Sequence, residues 1–474
     1  MRQHDLDFLF HPNSIALVGI TTAKTWHWTL TFLEGLLEIG FDRPLYLVNP
    51  KGGELKGHKI YASLKDVPDN VDYVIGLVNA QIAPKLVEEC AKKGVKAIHF
   101  CTAGFSETGE EDRVKLEYEL AEAARKNGIR IIGPNCMGIY CPKSRMSFSP
   151  AFPEESGPVG VISQSGGNSI YLVRQAALRG VRFSKVISYG NACDINETDL
   201  LEYFANDADT RIIALYIEGI KDGRRFRRAL EEATKEKTVI LLKGGATEGG
   251  ARAAAGHTAS LAGSRATWDA LCKQLGIISV SSIEEMIDVL VTLLFLPLPA
   301  GRNVVLLGAG GGASVLIADE FESRGLRIRP LPPEIVAQIR EFTPIAGNIL
   351  RNPVDYSQAM MNFEGVIKTF AILSGWEGAD FMVTFIRTGQ FTTYRTAEEH
   401  VNLLMSRFSV KQGMLPKPLA MVIEPSVMPE EAEAILTAIR GAIASELPVY
   451  YSFATAANAI SLVLNHSERQ SNKL

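Results

Sequence analysis

Short apolar runs recur along the chain, and stretches of helical period separate them. Residues 14–19, 44–50, 71–78, 97–100 and 129–133 read as strands, with helical patterns at 30–39, 83–93 and 110–126. Strands alternating with helices predict a doubly wound parallel sheet, and such sheets bind ligands beyond the strand C-terminal ends. A Pro/Ser-rich connection at 142–158 follows, and the alternation then resumes. Strands are predicted at 159–162, 183–188, 212–216 and 239–242, and helices at 168–178, 197–204 and 224–235. Pro297-Leu298-Pro299-Ala300-Gly301-Arg302 is a second connection. Beyond it the runs at 304–307, 381–386, 420–423 and 449–451 make a third set that looks like a degenerate copy of the second. The pattern predicts an α/β chain of three doubly wound domains at 1–145, 157–297 and 302–466, with a polar tail at 467–474. The apolar stretch 289–296 is far shorter than the roughly 20 residues of a membrane span and stops at Pro297, so it reads as a buried helix.

Three turns at predicted strand ends carry candidate chemistry. The strand 238–242 runs into Lys243-Gly244-Gly245, and small residues then frame His257: Gly249, Gly250, Ala253, Ala254, Ala255 and Gly256 on one side, Ala259 on the other. Such a segment reads as a mobile loop carrying one imidazole, the alternative being a Gly/Ala-rich surface loop with an incidental histidine. In the second turn, Ser163-Gln164-Ser165-Gly166-Gly167 leads from a strand into a helix. Helix N-terminal amides there would face an anion, with the Ser163 and Ser165 hydroxyls as further donors, which makes a phosphate seat. In the third, Glu218 follows the strand 211–215, where its carboxylate could accept one imidazole N–H and leave the other ring nitrogen free to attack. Gly310 to Gly312 repeat the small-residue turn in the third domain, as a second phosphate seat or as a tight turn under a packed helix.

Together with Gly133-Pro134-Asn135-Cys136-Met137-Gly138, the segments Ser163-Gln164-Ser165-Gly166-Gly167, Tyr216-Ile217-Glu218-Gly219 and Gly256-His257-Thr258-Ala259-Ser260 resemble the NDP-forming acyl-CoA synthetases, the superfamily of succinyl-CoA synthetase. The four motifs stand in the family's order, and the likeness spans essentially the whole chain. It is nearest to the alpha subunits of ADP-forming acetate–CoA ligases. The resemblance implies a Rossmann-like CoA-binding domain followed by two flavodoxin-like domains. It also implies a relay through an acyl phosphate and phospho-His257, with Glu218 as its partner and Ser163 to Gly167 as phosphate binders. CoA would be held by Gly19, Thr21, Lys24, Lys51, Val78, Thr102 and Asn135. No G-x-x-x-x-G-K-[ST] or ATP-grasp stretch is recognisable, and the resemblance implies that the nucleotide and Mg2+ belong to a separate ATP-grasp beta subunit or a fused extension, with an alpha2-beta2 assembly expected. In one place the chain departs from the family. No glycine follows Gly19 in Ile20-Thr21-Thr22-Ala23-Lys24-Thr25-Trp26-His27-Trp28, so backbone approach to a pyrophosphate is harder, and a non-catalytic CoA or acyl-CoA sensor on the same scaffold is the alternative.

Composition changes this picture little. A formal charge of -4, with 46% apolar and 22% charged residues, suits a soluble enzyme and gives no electrostatic support for nucleic-acid or anionic-membrane binding. Six cysteines without a C-x-x-C pair suggest neither a disulfide framework nor a metal site, and the N-terminus lacks a signal-peptide core; a reducing cytoplasm fits. Cys136 as a nucleophile is disfavoured, since the implied chemistry needs none. A nicotinamide oxidoreductase is disfavoured by the absence of G-x-G-x-x-G after the first strand.

Overall fold

The structure, a computed structural model, describes residues 6–471 apart from 24, 26, 259–263, 309–310, 345–346, 356–362, 387–415 and 425–428. Its first sheet is built from β1 (Ile15–Val18), β2 (Leu45–Val48), β3 (Gly53–Leu55), β4 (His58–Tyr61), β5 (Tyr73–Gly76), β6 (Ala97–Phe100) and β7 (Arg130–Ile132). The order is β3-β4-β2-β1-β5-β6-β7, parallel but for the β3–β4 hairpin. α1 (Asp7–Phe10) precedes β1, and α2 (Leu30–Glu38), α3 (Ala83–Lys93) and α4 (Glu111–Asn127) intervene. Local chemistry ends the last two: Gly94 and Gly128 follow them in the left-handed conformation, with Lys92, Lys93, Arg125 and Lys126 in the final turns. β1 pairs with both β2 and β5, so the strand order reverses there and opens a crevice beyond Val18 and Gly76.

The second sheet runs β13-β12-β11-β9-β10-β8. Its strands are β8 (Gly138–Tyr140), β9 (Ser156–Ser163), β10 (Phe183–Ser188), β11 (Ile212–Ile217), β12 (Thr238–Lys243) and β13 (Ile278–Val280). β8 is antiparallel to β10, so the chain joins the second sheet well before the expected boundary at 145. A three-residue strand at the head of a Pro/Ser-rich connection leaves no periodic trace. α5 (Gly166–Ala177), α6 (Glu197–Asn206), α7 (Gly223–Glu236), α8 (Glu248–Thr258) and α9 (Arg265–Leu275) complete the layer. α6 starts with a capping box: Asn196 Oδ1 accepts the Thr198 and Asp199 amides while Asp199 Oδ2 accepts that of Asn196. β9 lies between β10 and β11, and Ser163 pairs in register with Tyr216, so this sheet has its own reversal point.

The expected mobile loop is corrected over part of its length. Residues 248–258 are helical, because Glu248 in the first turn and the alanines at 251 and 253–255 outweigh Gly249, Gly250 and Gly256. The backbone of His257 lies in the last turn; its side chain, and residues 259–263, lie outside the described residues.

By packing, the chain divides into two compact units, residues 1–177 with 182–283, and residues 178–181 with 284–474. The helix α10 (Ile283–Phe295), expected in the second domain, falls almost wholly in the second unit. That unit's sheet runs β15-β16-β14-β17-β18-β19, from β14 (Val304–Leu307), β15 (Ile349–Leu350), β16 (Val354–Asp355), β17 (Phe381–Ile386), β18 (Leu419–Ile423) and β19 (Val449–Tyr450). α11 (Gly311–Ser323), α12 (Pro333–Arg340), α13 (Phe363–Gly375), α14 (Pro429–Ala444) and α15 (Phe453–Ser471) accompany it. α15 takes in most of what was expected as a frayed tail. No described helix is long and apolar enough to cross a membrane.

Candidate active site

At the reversal point of the second sheet, β9 ends in a turn shaped by its own hydroxyls. Ser163 Oγ donates to Ser165 O (2.8 Å) and accepts Ser165 N–H (3.3 Å), while Ser165 Oγ accepts Asn168 N–H (3.3 Å) as a helix cap. The Ser163 hydroxyl is therefore engaged within the turn rather than offered to an anion, whereas Ser165 keeps its O–H to donate. Gly166 and Gly167 open α5, where first-turn amides have no acceptor inside the helix and the dipole is positive. A side chain at Gly167 would meet nothing within 4 Å, so the backbone there is open to a ligand. The Gln164 side-chain oxygen has a structural task. The residue is buried, and its Oε1 accepts the amides of Glu218 (2.8 Å) and Gly219 (3.1 Å) and the Tyr189 hydroxyl (3.4 Å), tying the β9 turn to the β11 turn.

Glu218 is only 4% exposed, just past β11. The Tyr216 hydroxyl donates to its Oε1 (3.0 Å), and the burial and nearby carboxylate that make this phenol harder to ionise keep it a donor. Lys243 Nζ, at the end of β12, donates to the Glu218 carbonyl (2.7 Å) and to that of Gly244. Burial lowers this ammonium's pKa against the pull of Glu218, and its head lies 5.7 Å from the centre of the Trp268 ring. β12 then leads through Gly244 and Gly245 into α8. Glu218, the start of α5 and the approach to His257 thus share the C-terminal edge of one sheet. α8 also packs on the single turn Ser106–Thr108 of the first sheet's layer.

The expected CoA residues gather at the corresponding edge of the first sheet. Gly19 has φ +94°, and a Cβ there would come within 2.6 Å of Leu77 O; its N–H donates to Val48 O (2.9 Å), so it closes the sheet and leaves no amide for a pyrophosphate. In place of glycines the next loop uses hydroxyls. Thr21 N–H donates to Thr29 Oγ1 (3.2 Å) and Thr21 Oγ1 accepts Ala23 N–H (3.0 Å). Lys24 and Trp26 lie outside the described residues. Asn49, which the sequence did not single out, donates to Ile20 O (2.8 Å) and accepts Lys51 N–H (2.9 Å), setting the exposed Lys51 beside this loop. Thr102 Oγ donates to Val78 O (2.7 Å), so that hydroxyl joins two strand ends. Asn135, at φ +59°, donates its amide to Thr102 O (2.9 Å) and its side chain to Asn191 Oδ1 (3.4 Å). Burial holds the Cys136 and Cys193 thiols well above their usual range, which removes either as a ready thiolate.

In the third sheet a carboxylate stands beside the start of α11. Asp355 Oδ2 lies 3.3 Å from where a Cβ on Gly311 would stand, so a carboxylate already lies at the positive end of α11, where a phosphate would have to sit. Ala309 and Gly310 lie outside the described residues. Among the described residues no group of His, Cys, Asp and Glu is arranged to hold a metal ion.

Comparison with known proteins agrees with this division. Residues 13–142 match the CoA binding domain family and residues 156–293 the succinyl-CoA ligase like flavodoxin domain family. The alpha subunit of an ADP-forming acetate–CoA ligase I from Pyrococcus furiosus is 40% identical over 371 residues, 77% of this chain and 79% of the relative. An ADP-forming acetate–CoA ligase I from Archaeoglobus fulgidus is 36% identical over 84% of this chain, which spans 57% of that longer relative. An acetyl-coenzyme A synthetase 1 from Ca. Korarchaeum cryptofilum, solved with phosphate and ADP, superposes with a TM-score of 0.79 at 31% identity over 98% of both chains. The chain therefore belongs to the NDP-forming acyl-CoA synthetases, among the alpha subunits of the ADP-forming acetate–CoA ligases.

Proposed function

We propose that this chain is the acyl-CoA and phosphohistidine half of a two-part ADP-forming ligase. The observation that carries the reading is the shared edge of the second sheet: an open helix N-terminus at Gly166–Gly167, a buried carboxylate at Glu218, and a helix that follows β12 there and carries His257 in its last turn. Inorganic phosphate attacks the thioester carbonyl of an acyl-CoA, the C–S bond breaks, and CoA leaves an acyl phosphate behind. The α5 amides and the Ser165 hydroxyl neutralise the phosphoryl oxygens. A neutral His257 nitrogen attacks phosphorus, the acyl carboxylate departs, and the ring N–H on the other nitrogen remains on Glu218. The N–P bond then breaks as an ADP phosphate oxygen takes the group, which restores neutral histidine.

ADP and Mg2+ are assigned to an ATP-grasp beta subunit in an alpha2-beta2 assembly. The longer Archaeoglobus fulgidus relative supports a second part, since almost half of it has no counterpart here. A reducing cytoplasm suits six free cysteines. The catalytic reading is preferred over the sensor because the relatives it matches along most of its length are named as ligases. Mixed with a co-encoded ATP-grasp subunit, the chain should form ATP from ADP, phosphate and one of a panel of acyl-CoAs, and neither part should do so alone. ATP made by this chain alone, or by no mixture with any acyl-CoA, would overturn the assignment.

Lys51 tests the CoA end. Held beside a loop without glycine amides, it is the charge best placed to meet a CoA phosphate, and Lys51→Ala should weaken CoA binding about tenfold in calorimetry at low salt. Raising salt should reproduce part of that loss in the unmodified protein. An unchanged affinity would move the CoA phosphates away from this turn.

A further inference from the structure

Between the two sheets of the first unit lies a buried junction that the relay above does not use. Asn191, 2% exposed and on the turn after β10, points its Nδ2 at two carboxylates, Glu107 Oε2 at 2.6 Å and Glu117 Oε2 at 2.8 Å. The carboxylates in turn hold the backbone of the segment after β6. Glu107 accepts the amides of Gly104 and Phe105, and Glu117, reaching from α4, accepts the Ser106 amide (3.2 Å) and hydroxyl (2.7 Å). Thr108 and Gly109 amides close back on the Phe105 and Ser106 carbonyls. Every amide from 104 to 106 is thus bound to a carboxylate, and both carboxylates are bound to one side chain of the second sheet.

Asn191 is itself fixed. Its N–H donates to Pro134 O (3.0 Å), its Oδ1 accepts from Asn135, and the preceding Gly190, at φ +58°, lies so close that a Cβ would fall 2.2 Å from Pro134 O. The turn held in this way is the one on which α8 packs. We propose that Asn191, acting through Glu107 and Glu117, is a positioning residue: it fixes the 104–108 turn as the seat on which the helix leading to His257 docks to receive the phosphoryl group from acyl phosphate. The inference rests on His257 as the carrier. Without the Asn191 amide, the half-buried Glu107 and the buried Glu117 would lose their common donor and repel each other, and the seat would open.

The seat belongs to the receiving pose, so its loss should divide the two half-reactions. In the full chain with its nucleotide-binding subunit, Asn191→Ala and Glu107→Gln should slow phosphorylation of His257 by acetyl phosphate about tenfold or more, while phosphorylation by ATP through the subunit stays within about twofold. Glu107→Gln keeps the side chain's size and one acceptor for the Gly104 and Phe105 amides, so it remains informative if Asn191→Ala fails to fold. Equal losses in both directions would make the junction merely structural and overturn the proposal, as would no loss from acetyl phosphate in either variant. Labelling that survives in His257→Ala, or unmodified protein that takes no label either from acetyl phosphate or from ATP through the subunit, would instead overturn the carrier reading beneath it.

Discussion

Replacing His257 by alanine is expected to abolish phosphoprotein formation from either direction. Unmodified protein given acetyl phosphate, or ATP with the beta subunit proposed above, should take up an acid-labile, base-stable phosphoryl group. In His257→Ala the label should fall at least about a thousandfold, since removing a nucleophile leaves no alternative covalent route. The substitution is a clean one for the scaffold. Position 257 lies in the last turn of α8, and alanine is the best helix former, so the thermal midpoint should not drop. Loss of label with an unchanged midpoint separates chemistry from folding. Full labelling in the variant would end the relay as proposed here.

The strands were legible because a parallel sheet covered on both faces writes itself as uninterrupted apolar residues. Ile15–Val18 and Ile212–Ile217 are examples, buried at nearly every position. Their C-terminal ends can then be placed on common edges, and Gly166, Gly167 and Glu218 do lie at one such edge. What escaped the sequence has short or distant causes. β8 is three residues long and owes its existence to pairing with β10, far along the chain. The glycines around His257 suggested a loop, yet a helix needs only enough alanine and a favourable first turn once tertiary contacts supply the rest. The side-chain amides were the least legible. The resemblance implies a phosphate ligand at Gln164, and nothing in the sequence announces that its Oε1 accepts the backbone amides of 218 and 219. Asn191 meets carboxylates at 107 and 117, and no periodicity records such a meeting. A Gly-Asn pair one residue past the end of β10, at the edge where ligands bind, is the available signal.

Glu218→Gln should come second only to the loss of the histidine itself. Glutamine has the same shape, and its Oε1 can still accept the Tyr216 hydroxyl that now lies 3.0 Å from the carboxylate. The backbone amide at 218 remains on Gln164 and the carbonyl on Lys243, so the fold of the turn has no reason to change. What disappears is a full negative charge in a nearly dry place, where a charge is felt far more strongly than in water. As His257 takes the phosphoryl group its ring gains positive character, and an N–H held by a carboxylate is stabilised most at that moment. Labelling by acetyl phosphate should slow by about two to three orders of magnitude, the range for removing one group that stabilises developing charge. Tyr216→Phe is the matched control. It keeps the charge and removes one hydrogen bond, so it should cost about tenfold at most, near 1.4 kcal/mol. If the two variants slow labelling equally, Glu218 serves only as a hydrogen-bonded strut, and the carboxylate partner of His257 must be sought on the other subunit.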